Sequence, residues 1–422
     1  MLVARAGLSP VMVGRAEELA RLQRLAALGG EPRVALIRGE AGVGKTRLIE
    51  ELTAGLPRGV LVLSAQAEQG AMGRPYELLL DAVAPAVAAW ARVPPGLRRW
   101  EDALGMLLAP AAPQLAAADR GYSADELARA GAELVRHLVG AGPAVVVFED
   151  LHWADAESLG LFHRLAVTAG LPALLVGSYR AEDLDRRHVT DLVASIERQR
   201  QVDHLVLGRL SIAEVGALVT AVRAGEVSYA AAAALHRRTG GNPFFLEELL
   251  VAAGDAAVET LADLPLPVTL TEAVLRHLEG LDAEQRRVVD AAAVLGQRIP
   301  FDMLASVTGV GEDVLIDVLR DLVGRGLIVE DDADVFSFRH ALTREAVAGR
   351  LLARERRRLH EKSLAVLQEA GSDDWATIAH HAGGAGRWDE MVAAARTGAS
   401  LYLRTGATYQ ALRLVELALD EA

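Results

Sequence analysis

The chain has 422 residues, a hydrophobic fraction of 51%, a formal net charge of −13 and no cysteine. This length exceeds what one hydrophobic core supports and predicts about two to four domains. The acidic balance argues against a dedicated nucleic-acid surface, and the lack of cysteine excludes disulfides and thiolate metal sites. Because no apolar segment is long enough for a signal peptide or a bilayer span, we expect a soluble, cytoplasmic protein with no membrane partner.

The N-terminal segment, residues 1–30, contains apolar residues at helical spacing over 16–28, just after Val13 and Arg15. An apolar strand at 34–37 follows, then a glycine-rich loop, then a helical pattern from Arg47 onward. The loop reads GEAGVGKT and matches the phosphate-binding pattern G-x-x-x-x-G-K-[ST]. Its lysine, Lys45, is one of only two lysines in the chain, which otherwise uses arginine for positive charge.

This loop predicts a nucleotide site. Backbone N–H groups and the helix N-terminus would bind phosphates, Lys45 would reach the β and γ phosphates, and the Thr46 hydroxyl would ligate Mg²⁺. A plain glycine turn before a helix is the alternative interpretation. The predicted cofactors are ATP or ADP with Mg²⁺, and the phosphate-binding residues are Gly39, Glu40, Ala41, Gly42, Val43, Gly44, Lys45, Thr46 and Arg47.

Further strands are predicted at 60–63, 144–148, 171–177 and 204–207, with helices between them. Proline breaks are expected in the helices of 75–140, the first of them at Pro85. Strands that alternate with helices predict an α/β P-loop NTPase domain with a parallel sheet over 31–208.

Two adjacent acids, Glu149 and Asp150, end the third predicted strand. A Mg-nucleotide site needs such a pair, because one acid holds the metal and the other activates the attacking water. We assign Glu149 to the metal and Asp150 to the base. The two roles are exchangeable, so both residues are candidate metal ligands. A solvated loop pair is the alternative. Arg180 follows the fourth strand and is a candidate sensor of the γ-phosphate, or else a surface arginine.

The strand signal then ends, and an all-α lid is predicted at 209–265. A turn at 240–248 enters a helix, where Pro243 either packs on adenine or belongs to an ordinary loop. Helices at 269–279, 283–295 and 312–325 and a hairpin near 327–338 predict a winged-helix domain over 266–348. His340 follows the hairpin. Residues 349–422 are predicted to start a TPR-like helical array, with a helix pair around Gly406.

Taken together, these motifs resemble the STAND class of signal-transduction ATPases, and most closely the large ATP-binding regulators of the LuxR type. The most specific string is EDLHWAD, which begins at Glu149. The resemblance implies that Val13 and Arg15 line the nucleotide base, that Pro243 packs on adenine and that His340 contacts the β-phosphate of ADP in a closed state. It also implies an AAA-like ATPase, transcription regulation, an inducer or partner protein on the helical repeats and a nucleotide-dependent oligomer.

Two features depart from the family pattern. Many relatives have two aspartates where this chain has Glu149 and Asp150, and LuxR-type regulators end in a helix-turn-helix that is not seen before Ala422. We therefore expect either a piece of a longer regulator or one without its output domain.

Three functions are predicted. The first is a slowly hydrolysing ATP switch, the second a non-hydrolysing nucleotide-bound scaffold, and the third a DNA-loading or remodelling ATPase. Residues 281–340 carry twelve acidic and six basic residues, a net charge of −6, which disfavours direct DNA binding.

Overall fold

A computed structural model of the chain provides the structure. The residues that it describes are 11–27, 33–67, 74–112, 114–115, 122–168, 171–180, 187–198, 202–223, 225–252, 278, 280–296, 298–332, 334–338, 341–404 and 406–420. Within these ranges, none of the helices has the length and apolar character needed to span a bilayer.

A five-stranded parallel sheet forms the centre of the N-terminal half, in the order β2-β3-β4-β1-β5. Its strands are β1 (Arg33–Gly39), β2 (Leu61–Gln66), β3 (Ala144–Glu149), β4 (Ala173–Arg180) and β5 (Val202–Leu207). β3 is buried along its whole length, as expected for an inner strand covered on both faces.

Helices cover both faces of this sheet. They are α1 (Ala16–Ala27), α2 (Lys45–Ala54), α3 (Glu77–Val87), a 3-10 helix (Pro95–Trp100), α4 (Glu101–Leu108), α5 (Ala124–Val139), α6 (Ala156–Val167) and α7 (Arg187–Glu197). Alternate residues of β3 enter different cores: Val146 packs with α3 to α6, whereas Val147 packs with α1 and α2. This parallel P-loop NTPase-like sheet confirms the predicted fold of the N-terminal half.

In the described part of the chain after the sheet, residues 208–252 contain α8 (Ile212–Arg223), α9 (Tyr229–Thr239) and α10 (Pro243–Ala252). Their apolar residues form a small separate core around Leu235 and Leu246. Most of the predicted helix at 269–279 lies outside the described residues.

Another core contains α11 (Ala283–Leu295), β6 (Arg298–Pro300), α12 (Phe301–Thr308), α13 (Glu312–Gly324), β7 (Ile328–Asp332) and β8 (Val335–Phe338). The three strands form an antiparallel sheet in the order β6-β8-β7. The hairpin was predicted, but β6 and α12 were not, because β6 has only three residues and too few positions to show a period.

The C-terminal part is helical, as predicted. Its helices are α14 (Ala341–Arg350), α15 (Ala353–Glu369), α16 (Trp375–Ala385), α17 (Trp388–Arg404) and α18 (Thr408–Asp420). α16 to α18 share one core with Leu364 of α15, and α17 and α18 flank Gly406, whose φ of +69° favours glycine.

One prediction about the helices is wrong. Pro85 does not break its helix but lies inside α3, three residues before the C-cap at Ala88. A proline removes one i→i−4 hydrogen bond, and near a helix end this loss leaves the rest of the helix intact.

Candidate functional site

The glycine-rich loop joins β1 to the N-terminus of α2. Gly42 and Gly44 have φ values of +74° and +99°, in the left-handed region that glycine tolerates. A methyl group on Gly42 would lie 2.7 Å from Cβ of Phe244, whereas one on Gly44 would meet no atom within 4 Å. The loop is therefore packed against the protein at Gly42 and faces open space at Gly44.

The Lys45 ammonium lies over this loop. Its Nζ donates hydrogen bonds to the carbonyl oxygens of Gly39, at 2.9 Å, and Glu40, at 3.0 Å. The side chain is buried, so these acceptors offset much of the cost of removing the charge from water. A cation placed in this way at the N-terminus of α2 can bind phosphate.

Thr46, the next residue, connects the loop to β3. Its hydroxyl donates a 2.8 Å hydrogen bond to Oε2 of Glu149. Burial raises the pKa of Glu149 to about 7; the Thr46 hydrogen bond acts in the opposite direction, and the charge of Asp150 adds to the increase. A hydroxyl beside a carboxylate is an all-oxygen donor set, which suits Mg²⁺ rather than a softer metal.

Asp150 has a φ of +54°, which is uncommon for a residue other than glycine. Its backbone N–H donates to Oγ of Ser178 at 3.0 Å, and the Gln66 side chain donates to its Oδ2 at 2.8 Å. The carboxyl ends of β2, β3 and β4 therefore fix this aspartate together. Unusual backbone angles held by neighbouring elements occur often at functional sites.

Arg180 is the last residue of β4 and lies opposite Gly39 of β1 in the sheet register. This position puts it beside the start of the phosphate loop, at the edge predicted from the sequence. Its guanidinium carbon lies 4.3 Å from the centre of the Trp153 ring, within cation–π range. The assignment of Arg180 as a γ-phosphate sensor stays a prediction.

Arg15 is buried against the other side of the phosphate loop. Its guanidinium donates to the carbonyl oxygens of Val43, at 3.4 Å, and of Gly208, just after β5. Val13 packs against the core of α8 to α10. The structure therefore places both residues next to the phosphate loop or the lid, and their predicted contact with the nucleotide base stays a prediction.

The lid contacts the loop directly through the start of α10. The side chain of Asn242 donates to the carbonyl oxygen of Ala41 at 3.0 Å, and the Phe244 N–H donates to that of Gly42 at 3.3 Å. Pro243, the first residue of α10, lies between these two contacts and is half-buried. The predicted packing of Pro243 on adenine is not tested by these contacts.

Two other residues, Arg47 and His340, were also predicted for the site. Arg47 lies on α2, where its guanidinium pairs with Glu51 one turn later, at 2.6 Å. His340 lies outside the described residues.

Three residues of the site were missed by sequence reasoning: Gln66, Ser178 and Asn242. Each makes its contact with a residue more than 25 positions away. Only Asn242 has a sequence signal, because asparagine just before a helix that starts with proline is typical of an N-cap.

The parallel sheet and the loop are those of a P-loop NTPase-like core, and the chain can be compared with known proteins on this basis. Residues 11–176 match the AAA ATPase domain family. An uncharacterized protein of Rhizobium meliloti (strain 1021) is 26% identical over 446 residues, which cover 97% of this chain and 42% of that protein.

Among solved structures, a similar one is a Signal Transduction ATPase with Numerous Domains (STAND) protein with a tetratricopeptide repeat sensor from Pyrococcus horikoshii. The TM-score is 0.58 at 12% identity, over 99% of this chain and 55% of that chain. Cdc6p from Pyrobaculum aerophilum is a more distant match, with a TM-score of 0.42 at 15% identity, over 83% of this chain and 99% of that chain.

The chain therefore carries an AAA ATPase domain at residues 11–176 and has the fold of a STAND ATPase over nearly its whole length. It spans about half the length of the relatives that it matches.

Proposed function

We propose that this protein is an ATP-binding signalling switch that hydrolyses ATP slowly. The observation that carries the proposal is the arrangement of Lys45, Thr46 and Glu149, which joins the phosphate loop to the acidic end of β3. In this proposal the phosphates of ATP replace the loop carbonyls as acceptors for Lys45, because charged oxygens form the stronger hydrogen bonds. Bound Mg²⁺ would neutralise phosphate charge, and Thr46 and Glu149 would hold it.

Asp150 is proposed as the base that orients and deprotonates the attacking water. Its backbone is held by Ser178 and its carboxylate by Gln66, so the aspartate is already positioned in the structure without nucleotide. A preorganised group of this kind lowers the cost of reaching the transition state. Hydrolysis would remain slow as long as no further group completes the site.

The signalling part of the proposal depends on how the C-terminal helices contact the ATPase domain. Arg74, just before α3, forms a 2.7 Å ion pair with Asp374, which caps α16. The backbone N–H of Tyr122 donates to the carbonyl oxygen of Arg404 at 3.0 Å. A methyl group on Gly406 would collide with the backbone of Ala124, so the two parts of the chain are in close contact.

A series of hydrogen bonds joins this contact between the C-terminal helices and the ATPase domain to the acidic end of β3. Asp155 begins α6 six residues after Glu149 and accepts hydrogen bonds from the N–H groups of Ser158, at 2.8 Å, and Tyr76, at 3.0 Å. The Tyr76 hydroxyl donates to the carbonyl oxygen of Ala124 at 2.7 Å. Nucleotide that reorganises the loop after Glu149 would then change the docking of α17 and α18. Such a switch requires that ATP and ADP bind the docked and released states with different affinities.

By resemblance we assign the switch to a cytoplasmic transcription regulator of the LuxR type. In this assignment residues 266–348 form a regulatory winged helix, residues 349–422 start a TPR-like sensor for an inducer or partner protein, and ATP promotes self-association. DNA binding by this chain is not expected, because residues 281–340 carry a net charge of −6.

The test is the nucleotide content and turnover of the purified chain beside Lys45→Ala, with Lys362→Ala as the matched control. Lys362, the only other lysine, donates to the carbonyl oxygen of Val307 at 2.9 Å in the C-terminal half. ADP or ATP should be recovered from the wild type and from the Lys362 variant but not from Lys45→Ala. Equal recovery from both variants would refute the site.

A second candidate function, a nucleotide-bound scaffold without turnover, is favoured by apolar side chains on the surface of the last helices. Leu403, Leu412 and Leu419 are 59%, 52% and 69% exposed. The Asp150→Asn variant separates the two proposals. Turnover that is lost while binding is kept supports the switch, whereas a wild type that holds ADP without measurable turnover supports the scaffold.

A further inference from the structure

We propose that His360, His380 and His381 form a binding site for a divalent transition-metal ion such as Zn²⁺, which would join α15 to α16. Each of these side chains offers one ring nitrogen, and the three nitrogens lie within 4.8 Å of one another. The cluster is far in sequence from the nucleotide site and does not depend on the function proposed for that site.

The arrangement of the three rings fits a single tetrahedral metal. The ring centroids are 5.2, 5.1 and 5.3 Å apart, which is nearly an equilateral triangle. A metal bound to imidazole nitrogen at about 2.0–2.1 Å lies about 3.2 Å from the ring centroid, so three imidazoles in tetrahedral geometry have centroids about 5.2 Å apart. The centroid triangle matches this value, and small side-chain rotations would bring the ring nitrogens, now 2.9 Å apart for His360 and His381 and within 4.8 Å for all three, to the roughly 3.3 Å spacing of a tetrahedral site.

The donor set determines the class of metal. Imidazole nitrogen suits Zn²⁺, Co²⁺, Ni²⁺ and Cu²⁺, whereas Mg²⁺ and Ca²⁺ prefer oxygen ligands. Nδ1 of His360 faces Nδ1 of His381 at 2.9 Å, so at least one of these nitrogens carries no proton and has a lone pair to offer.

The surroundings both position the rings and leave access to solvent. His360 and His381 are buried, and His380 is exposed. A methyl group on Gly384 would lie 2.5 Å from Cγ of His360, so the glycine provides the space that this ring fills. Arg356, near His360, and Arg344, near His380, oppose a cation, and we therefore expect weaker binding than at a thiolate site.

The alternative is a neutral hydrogen-bonded histidine pair that packs two helices and binds no metal. A titration of the full chain with Co²⁺ and Zn²⁺ distinguishes the two, after removal of metals and with Mg²⁺ in large excess to fill oxygen-ligand sites. Tetrahedral Co²⁺ absorbs visible light much more strongly than the hydrated ion, so its spectrum reports the geometry as well as the stoichiometry.

Three variants complete the experiment. His380→Gln removes the exposed ligand, and this variant is expected to fold because the side chain is on the surface. Gly384→Ala keeps all three histidines but displaces the ring of His360. His204→Gln is the matched control, because His204 is a half-exposed histidine that pairs with Glu197 at 2.7 Å in the N-terminal half.

We expect one equivalent of Co²⁺ with a tetrahedral spectrum in the wild type and in the His204 control. His380→Gln and Gly384→Ala should weaken binding at least about 10-fold, the effect typical of altering a metal-binding shell. Zn²⁺ should displace the Co²⁺. The proposal is overturned if the wild type binds no stoichiometric Co²⁺ or Zn²⁺ under these conditions, or if His380→Gln binds as tightly as the wild type.

Discussion

Alanine substitutions at Gly44 and Gly42 provide a direct test of the phosphate site, because these two glycines share a backbone conformation but not an environment. With φ values of +99° and +74°, each variant should lose about 1–2 kcal/mol of folding free energy to left-handed backbone strain. Gly42→Ala should lose about 1–3 kcal/mol more, because its methyl group would lie 2.7 Å from Cβ of Phe244. Gly44→Ala should fold better than Gly42→Ala but lose nucleotide binding, because its methyl group enters the space that we assign to phosphate.

Thermal and urea unfolding with and without Mg-ATP would measure both effects. At a nucleotide concentration of 100 times Kd, ligand stabilises a protein by about 2.7 kcal/mol. The wild type should show this increase in the free energy of unfolding, Gly42→Ala should keep a measurable part of it, and Gly44→Ala should show none. A wild-type increase in Gly44→Ala would refute the placement of phosphate above this glycine.

Three further predictions concern Glu149, the ion pair of Arg74 with Asp374, and Asn242. Because burial raises the pKa of Glu149 to about 7, this carboxyl should lower the free energy of unfolding of the nucleotide-free chain as pH rises from about 5 to 7. The Mg²⁺-dependent part of ATP affinity should instead rise with pH. Both changes, measured by urea unfolding and by calorimetry, should be absent in Glu149→Gln. A double-mutant cycle on Arg74 and Asp374 should give a coupling free energy of about 0.5–1 kcal/mol without nucleotide and a smaller one with a non-hydrolysable ATP analogue. A coupling free energy that the analogue leaves unchanged would contradict nucleotide-dependent release of the C-terminal helices. Asn242→Ala should weaken ATP binding, because it removes the 3.0 Å hydrogen bond to Ala41, and equal affinities in a nucleotide titration would contradict this role.

Local patterns were enough to predict the phosphate loop and the parallel sheet. Strand β3, for example, is apolar at every position before Glu149, which is the pattern expected of a strand that is covered on both faces. The motif after β1 fixes its own geometry, because glycine at positions 42 and 44 permits the left-handed turns that lead into α2. These features depend on neighbours within about ten residues and are therefore visible in the sequence.

What surrounds the loop could not be predicted in this way. Ser178 and Asn242 reach the site because β4 lies beside β3 and because α10 begins above Ala41, and no local pattern encodes either contact. Arg180 was predicted from its place at the end of a strand, but its stacking on Trp153 depends on the path of the loop after β3. Such contacts between distant residues follow from the assembled fold, and only the fold reveals them.

The same contacts make a physical case for a switch. The phosphate loop is held by carbonyl contacts with Arg15 from the N-terminal segment and with Asn242 from the lid, and by the hydroxyl contact between Thr46 and Glu149. Phosphate would enter the open space at Gly44, whereas Mg²⁺ held by Thr46 and Glu149 would replace the hydrogen bond between these two side chains. Since the chain after Glu149 leads within six residues to Asp155, whose contact with Tyr76 supports the docked helices, the Glu149 contact is the one that we expect to transmit the change.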